Sequence, residues 1–223
     1  MESSLMLNIP LSYLHRPADP STPTPWLLVL LHGVGSHERD LFDLCPYVPK
    51  AFHVLSVRAP HRVGPGAFAW FAFSVLPDGS RQIHETQEAE SREQLAMVVE
   101  SAARELGIPP ERVVVGGFSQ GGIMALTMLL TEPERLRAAM VWHGRLLNEA
   151  LDQAAAPEAL QGKDLWVSHG IQDNVIPLAS ADAVRQHVTG LPLKLTYAEF
   201  PGAHEIRPAE LQQAMTWLVG LTA

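Results

Sequence analysis

One cysteine, Cys45, stands in 223 residues. A lone cysteine excludes an internal disulfide and fits a reducing compartment. Next to Pro46 it reads as a small packed hydrophobe. Runs of Lys or Arg are missing, and the formal net charge is −8, which argues against nucleic acid or an anionic membrane surface as a partner. Long apolar runs are missing too. The longest, Trp26 to Leu31, is far below the roughly 20 residues of a membrane helix, so no stable membrane insertion is expected. Residues Met1 to Pro10 hold neither a basic start nor a long apolar stretch, and a cytoplasmic location is expected. Metal and dinucleotide motifs are also wanting. His84-Glu85 and His204-Glu205 have no second histidine at helical spacing, and His32-Gly-Val-Gly35 has no third glycine, so neither a metal nor another cofactor is expected.

What is present is a hydrophobic content of 47%, enough for a core, in a length that suits one domain over residues 1–223. The continuous apolar run 26–31 reads as a strand buried on both faces, the β-branched run 113–115 as a buried strand, and 52–57, 136–142, 165–169 and 193–200 as further strands. Between them, 87–106 is amphipathic, with Leu95, Val98, Val99, Ala102 and Leu106 on one face. Residues 120–130 are apolar all round, and 180–188 and 207–219 read as further helices. Leu5 to Leu14 suggests one or two edge strands, and 40–47 a short helix. Residues 58–85, with three prolines and the aromatics Trp70, Phe71 and Phe73, read as a long loop, with 61–85 a candidate lid or substrate loop and Gly64, Gly66 and Gly79 as points of mobility. Strands alternating with helices give an α/β class, a mostly parallel central sheet flanked by helices on both faces.

The segment Arg112-Val-Val-Val-Gly-Gly-Phe-Ser-Gln-Gly-Gly-Ile-Met-Ala-Leu126 is the most specific in the chain. A strand, a sharp turn bearing a serine and then a helix form the pattern G-x-S-x-G. Gly117 and Gly121 lie two residues either side of Ser119, where a Cβ would meet neighbouring backbone. Ser119 itself must hold a strained conformation, at a cost of roughly 1–3 kcal/mol. A serine hydroxyl needs a base to take its proton, and the base needs an orienting group. The loops that follow the last two strands supply candidates, Asp173 and His204. The order Ser, Asp, His is that of α/β-hydrolases. Asp173 alone could also cap its own turn. Asp164 precedes its strand and so sits at the wrong end of the sheet. His32, His143 and His169 end strands beside glycine and read as packed, loop-bonding histidines. Donors for an oxyanion are expected from the Gln120 backbone and from the His32–Gly35 loop, with Val34 the first choice and Gly35 the second. Trp70, Phe71 and Phe73 either line an acyl pocket or pack as a cover on the core.

Leu-Leu-His-Gly-Val-Gly35, Arg58-Ala-Pro60, Gly-Gly-Phe-Ser-Gln-Gly-Gly122, His169-Gly-Ile-Gln-Asp-Asn-Val-Ile-Pro177 and Gly202-Ala-His-Glu-Ile206 together resemble the phospholipase/carboxylesterase family, which includes the acyl-protein thioesterases. The resemblance runs over about residues 26–220. It implies a cofactor-free serine hydrolase of α/β-hydrolase fold acting on carboxylic esters, thioesters or lysophospholipids. By motif match it makes Ser119, Asp173 and His204 a triad, with Val34 and Gln120 as oxyanion donors. The expected partner is a small-molecule acyl ester, and a homodimer is compatible with the sequence. Departures are His143-Gly144, where members commonly carry Ser-Gly, the Ser-His-Glu-Arg39 stretch after the His-Gly loop, and residues 61–85. These regions shape the acyl and leaving-group pockets. Rival readings on the same fold are a non-catalytic binding protein, or a peptidase or acyltransferase using the same three residues.

Overall fold

The computed structural model describes residues 6–77 and 81–222. Strands β1 (Tyr13–Arg16), β2 (Trp26–Leu31) and β3 (Phe52–Val57) are followed by two short antiparallel hairpins, β4 (His61–Gly64) with β5 (Ala67–Ala69) and β6 (Phe73–Val75) with β7 (Arg81–Ile83). Helix α1 (Glu85–Leu106), strand β8 (Val113–Phe118), helix α2 (Gln120–Thr131) and strand β9 (Ala138–Trp142) come next. Strand β10 (Asp164–Gly170), helix α3 (Leu178–Val188), strand β11 (Lys194–Phe200) and helix α4 (Pro208–Leu221) complete the order. The main sheet runs β1-β3-β2-β8-β9-β10-β11. All its pairs are parallel except β1 with β3.

The pleat sorts side chains onto two layers. Leu27, Val29, Leu31, Val113 and Val115 face one cluster, built with Leu95 of α1, Ile123 and Leu126 of α2 and Val184 of α3. Trp26, Leu28, Leu30 and Val114 face the other, built with Leu41 and with Ala214, Met215 and Leu218 of α4. Cys45 packs in this second layer. Burial on both faces is why these strands are apolar at every position rather than at alternate ones. No helix among the described residues is long and apolar enough to cross a membrane.

Of the one or two edge strands expected in the N-terminal region, one forms among the described residues, at Tyr13–Arg16, paired in register Tyr13↔Val57 to Arg16↔Val54; of the segment read as strand, Leu5 lies outside the described residues. Residues 41–44 form a single 3-10 turn rather than a helix. The 58–85 region is not a structureless loop: a tight turn at Pro65-Gly66, with Gly66 at φ +69°, closes the first hairpin. Gly79 lies outside the described residues. His84 caps α1, its ring accepting the Gln87 N–H at 3.4 Å.

Candidate active site

Ser119 sits between β8 and α2 with φ 55° and ψ −118°, a region that L-residues avoid at a cost of roughly 1–3 kcal/mol. Its surroundings over-determine that conformation. The Ser119 N–H donates to the Trp142 carbonyl at 2.8 Å, and its carbonyl accepts the Ile123 N–H at 3.0 Å. A Cβ on Gly121 would lie 1.9 Å from the Leu31 carbonyl oxygen, and one on Gly117 2.3 Å from the Gly121 backbone. The glycines are therefore demanded by contact of α2 with β2 and β8.

The loop after β11 brings His204 to Ser119, with Nε2 2.8 Å from Oγ. The loop after β10 brings Asp173 to the other side of the ring, with Oδ2 2.6 Å from His204 Nδ1. The second carboxylate oxygen accepts the Val175 and Ile176 N–H groups at 2.8 and 2.9 Å. Burial works to raise the Asp173 pKa, but hydrogen bonds from His204, His143 and these two N–H groups outweigh it and hold the carboxyl at about 2. Phe118 packs on the His204 ring, centroids 4.8 Å apart. Asp164 lies at the far end of β10, ion-paired with Arg137.

His143 is packed as its position suggested, and its ring also bridges two carboxylates. Its Nδ1 is 3.0 Å from Asp173 Oδ2, and its Nε2 is 3.3 Å from Glu210 Oε1. Glu210 is fully buried in α4, where it also accepts from Ser168 Oγ at 2.6 Å and from the Arg207 N–H at 3.1 Å. His143 thus joins two buried carboxylates. Burial acts to lower its pKa, but Glu210 and Asp173 more than offset this and the value is raised. His32 and His169 also fit the packed reading. His32 accepts the Ala59 N–H at 3.1 Å and contacts the Gly33 carbonyl at 2.8 Å, and His169 contacts the Ile176 carbonyl at 2.7 Å; burial pushes both pKa values down.

Because the folded state binds the His143 proton more tightly than the unfolded chain, this interaction contributes fully below about pH 6.5 and is lost as pH rises through the raised folded value. Urea unfolding of wild type and His143→Gln across pH 5 to 9 should show a wild-type advantage that is largest at the acid end and shrinks with rising pH. An advantage that grows with pH would count against the ion pairing.

Val34, Phe71, Phe73, Gln120 and Ile123 line a narrow pocket at Ser119. Among the described residues the Val34 and Gln120 N–H groups make no hydrogen bond, whereas the Gly35 N–H is engaged by the Phe68 carbonyl at 2.8 Å. Trp70 does not reach this pocket. It is fully buried, its indole N–H donating to the His32 carbonyl at 3.0 Å and its backbone N–H to Gln120 Oε1 at 2.8 Å. The Gln120 side chain also donates to the Phe71 carbonyl at 2.7 Å, so it clamps residues 70–71 onto the serine turn, a role the sequence reading missed. Among the described residues, His143, Asp173 and His204 hold potential ligand atoms within 4.8 Å of one another. Those atoms already hydrogen-bond to each other.

A strained serine turn at the centre of a mostly parallel sheet, with an acid and a histidine on the loops after the last two strands, is the arrangement of the α/β-hydrolases. The chain belongs to the phospholipase/carboxylesterase family, whose model matches residues 15–221. A probable carboxylesterase of Oryza sativa is 34% identical over 114 residues, 50% of this chain and 42% of the rice protein; the chain thus spans under half the length of that relative. Acyl-protein thioesterase 1 of Eremothecium gossypii is 26% identical over 187 residues, 78% of this chain and 77% of its own. Among solved structures, the Bacillus cereus carboxylesterase superposes with a TM-score of 0.81 at 23% identity, covering 96% of both chains.

Proposed function

We propose that this chain is a serine hydrolase of carboxylic esters, with Ser119 as nucleophile, His204 as base and Asp173 as its orienter. The observation that carries the reading is the bridge of His204, 2.8 Å from Ser119 Oγ and 2.6 Å from Asp173 Oδ2. The names of its relatives, carboxylesterase and acyl-protein thioesterase, support an acyl group bound to oxygen or sulfur as the substrate.

His204 Nε2 takes the Ser119 proton as Oγ attacks the carbonyl carbon. The carbonyl oxygen becomes an oxyanion, and the free N–H groups of Val34 and Gln120 are the donors that meet it. His204 then gives the proton to the leaving alcohol or thiol as the C–O or C–S bond breaks, leaving an acyl-serine. Water, deprotonated by His204, attacks that acyl-serine and returns the carboxylic acid and free Ser119. Phe71 and Phe73 wall the acyl pocket. Trp70 supports that wall from behind.

The test is turnover of p-nitrophenyl esters of rising acyl length, with a thioester and a lysophospholipid alongside. Short to medium esters should be hydrolysed, with length preference changing gradually because an apolar pocket discriminates by only about 1–3 kcal/mol per methylene. A protein that cleaves none of the three substrate types would be a binding protein, and the proposal would fall.

A further inference from the structure

The pocket at Ser119 is not uniformly apolar. Arg81 and Arg145 also line it. The same two arginines, with Ile176, form a wall of an adjoining cleft of about 420 Å³ that also holds Val75 and Asn174. The two cations therefore stand where the space beside the nucleophile opens into the wider cleft.

Arg145 is held there by its backbone. It follows Gly144, where a Cβ would lie 2.6 Å from Val141 Cγ1, and the His143 ring, fixed between Asp173 and Glu210. Its Nη1 donates to the Leu146 carbonyl at 2.9 Å. Among the described residues it makes no ion pair. Burial draws its pKa below the ordinary arginine value, the exposed Glu149 carboxylate acts in the opposite sense, and the charge of Arg81 adds to the lowering. Arg81 is itself anchored, with Nη2 donating to the Val175 carbonyl at 2.8 Å and the guanidinium 4.9 Å above the Phe73 ring.

A partly desolvated guanidinium facing a pocket, with a second cation beside it, is costly unless an anion arrives. A neutral acyl chain would set both charges against carbon. A carboxylate would meet planar forked donors whose geometry matches its two oxygens. Resting on the esterase reading of Ser119, we propose that this site takes esters that carry a carboxylate of their own, held by Arg145 and Arg81 while Ser119 attacks the ester carbonyl.

Matched substrates test this and show which end carries the anion. Monomethyl adipate against methyl hexanoate puts the charge on the acyl side, and 4-butyryloxybenzoate against phenyl butyrate puts it on the leaving group. In at least one pair the wild type should favour the anionic ester in kcat/KM by about tenfold, the scale of one charge-assisted hydrogen bond. The preference should shrink with added NaCl. Arg145→Gln should bring that ratio near one, and Arg145→Lys should retain part of it. Neutral esters preferred in both pairs, or a preference that survives Arg145→Gln, overturns the proposal. Should Arg145→Gln fail to fold, a wild-type preference unchanged by salt overturns it equally. Calorimetric binding of monomethyl adipate and methyl hexanoate to Ser119→Ala separates this from the esterase reading. Tighter binding of the anion without any wild-type turnover would sink the esterase reading and keep the anion site. Turnover without anion preference would do the reverse.

Discussion

Ser119→Ala should cut ester turnover by about 10⁶-fold, the scale seen when an activated nucleophile is removed. The size follows from the geometry. The Ser119 hydroxyl lies 2.8 Å from His204 Nε2, so with the hydroxyl gone the histidine has nothing to deprotonate and the residual rate reflects substrate binding and oxyanion donors alone. The variant should fold. Alanine keeps the Cβ, so the backbone stays under the same strain at φ 55°, and the N–H to Trp142 and carbonyl to Ile123 bonds do not involve the side chain. A fluorophosphonate probe should attach to wild-type Ser119, located by peptide mass spectrometry, and should leave Ser119→Ala unlabelled. Near-normal turnover by the alanine variant, or labelling at another serine, would defeat the assignment.

The central sheet was legible because its physics is local. Trp26–Leu31 and Val113–Val115 are buried on both faces, so each prints as an unbroken apolar run. The serine turn was legible because close approach of three backbone segments leaves glycine as the residue that fits at 117 and 121. The 61–85 region was not, because strands of three or four residues are too short to establish a period and their order comes from distant partners. Trp70 is fixed by His32 and by Gln120, 38 and 50 positions away. The bridging role of His143 was hidden for the same reason. Nothing near it in sequence announces Asp173, 30 residues on, or Glu210, 67 residues on. Its left-handed backbone, φ 52°, would have been a signal, but dihedrals are not written in composition. Arg145 carries no signal in the sequence, since an arginine after a strand is ordinarily a solvated surface residue.

Asp173→Asn should cost about 10⁴-fold in kcat with the fold retained. The backbone dictates how the new amide must sit. Oδ1 of Asp173 accepts two N–H groups, from Val175 and Ile176, and an NH₂ there would face two donors. The asparagine oxygen must therefore take that position, which turns the NH₂ toward His204 Nδ1 and His143 Nδ1, the partners of Oδ2. His204 Nδ1 then has to accept, so the proton moves to Nε2, and a protonated Nε2 cannot receive the Ser119 hydroxyl proton. The loss is one of tautomer, expected mainly in kcat rather than KM. His143 also loses a carboxylate and keeps Glu210 alone, so its raised pKa should fall back toward the ordinary histidine value, visible by NMR as a shift of one imidazole titration midpoint to lower pH. A structural role for Asp173 confined to capping its loop predicts otherwise: Asn, which caps as well as Asp, would leave kcat within a few-fold of wild type, and that result would remove Asp173 from the proton path. His169, 3.4 Å from the same carboxylate oxygen, provides the control. His204→Ala should be as damaging as Asp173→Asn or more so, whereas a loss of turnover in His169→Ala with His204→Ala active would show that the wrong histidine faces Ser119.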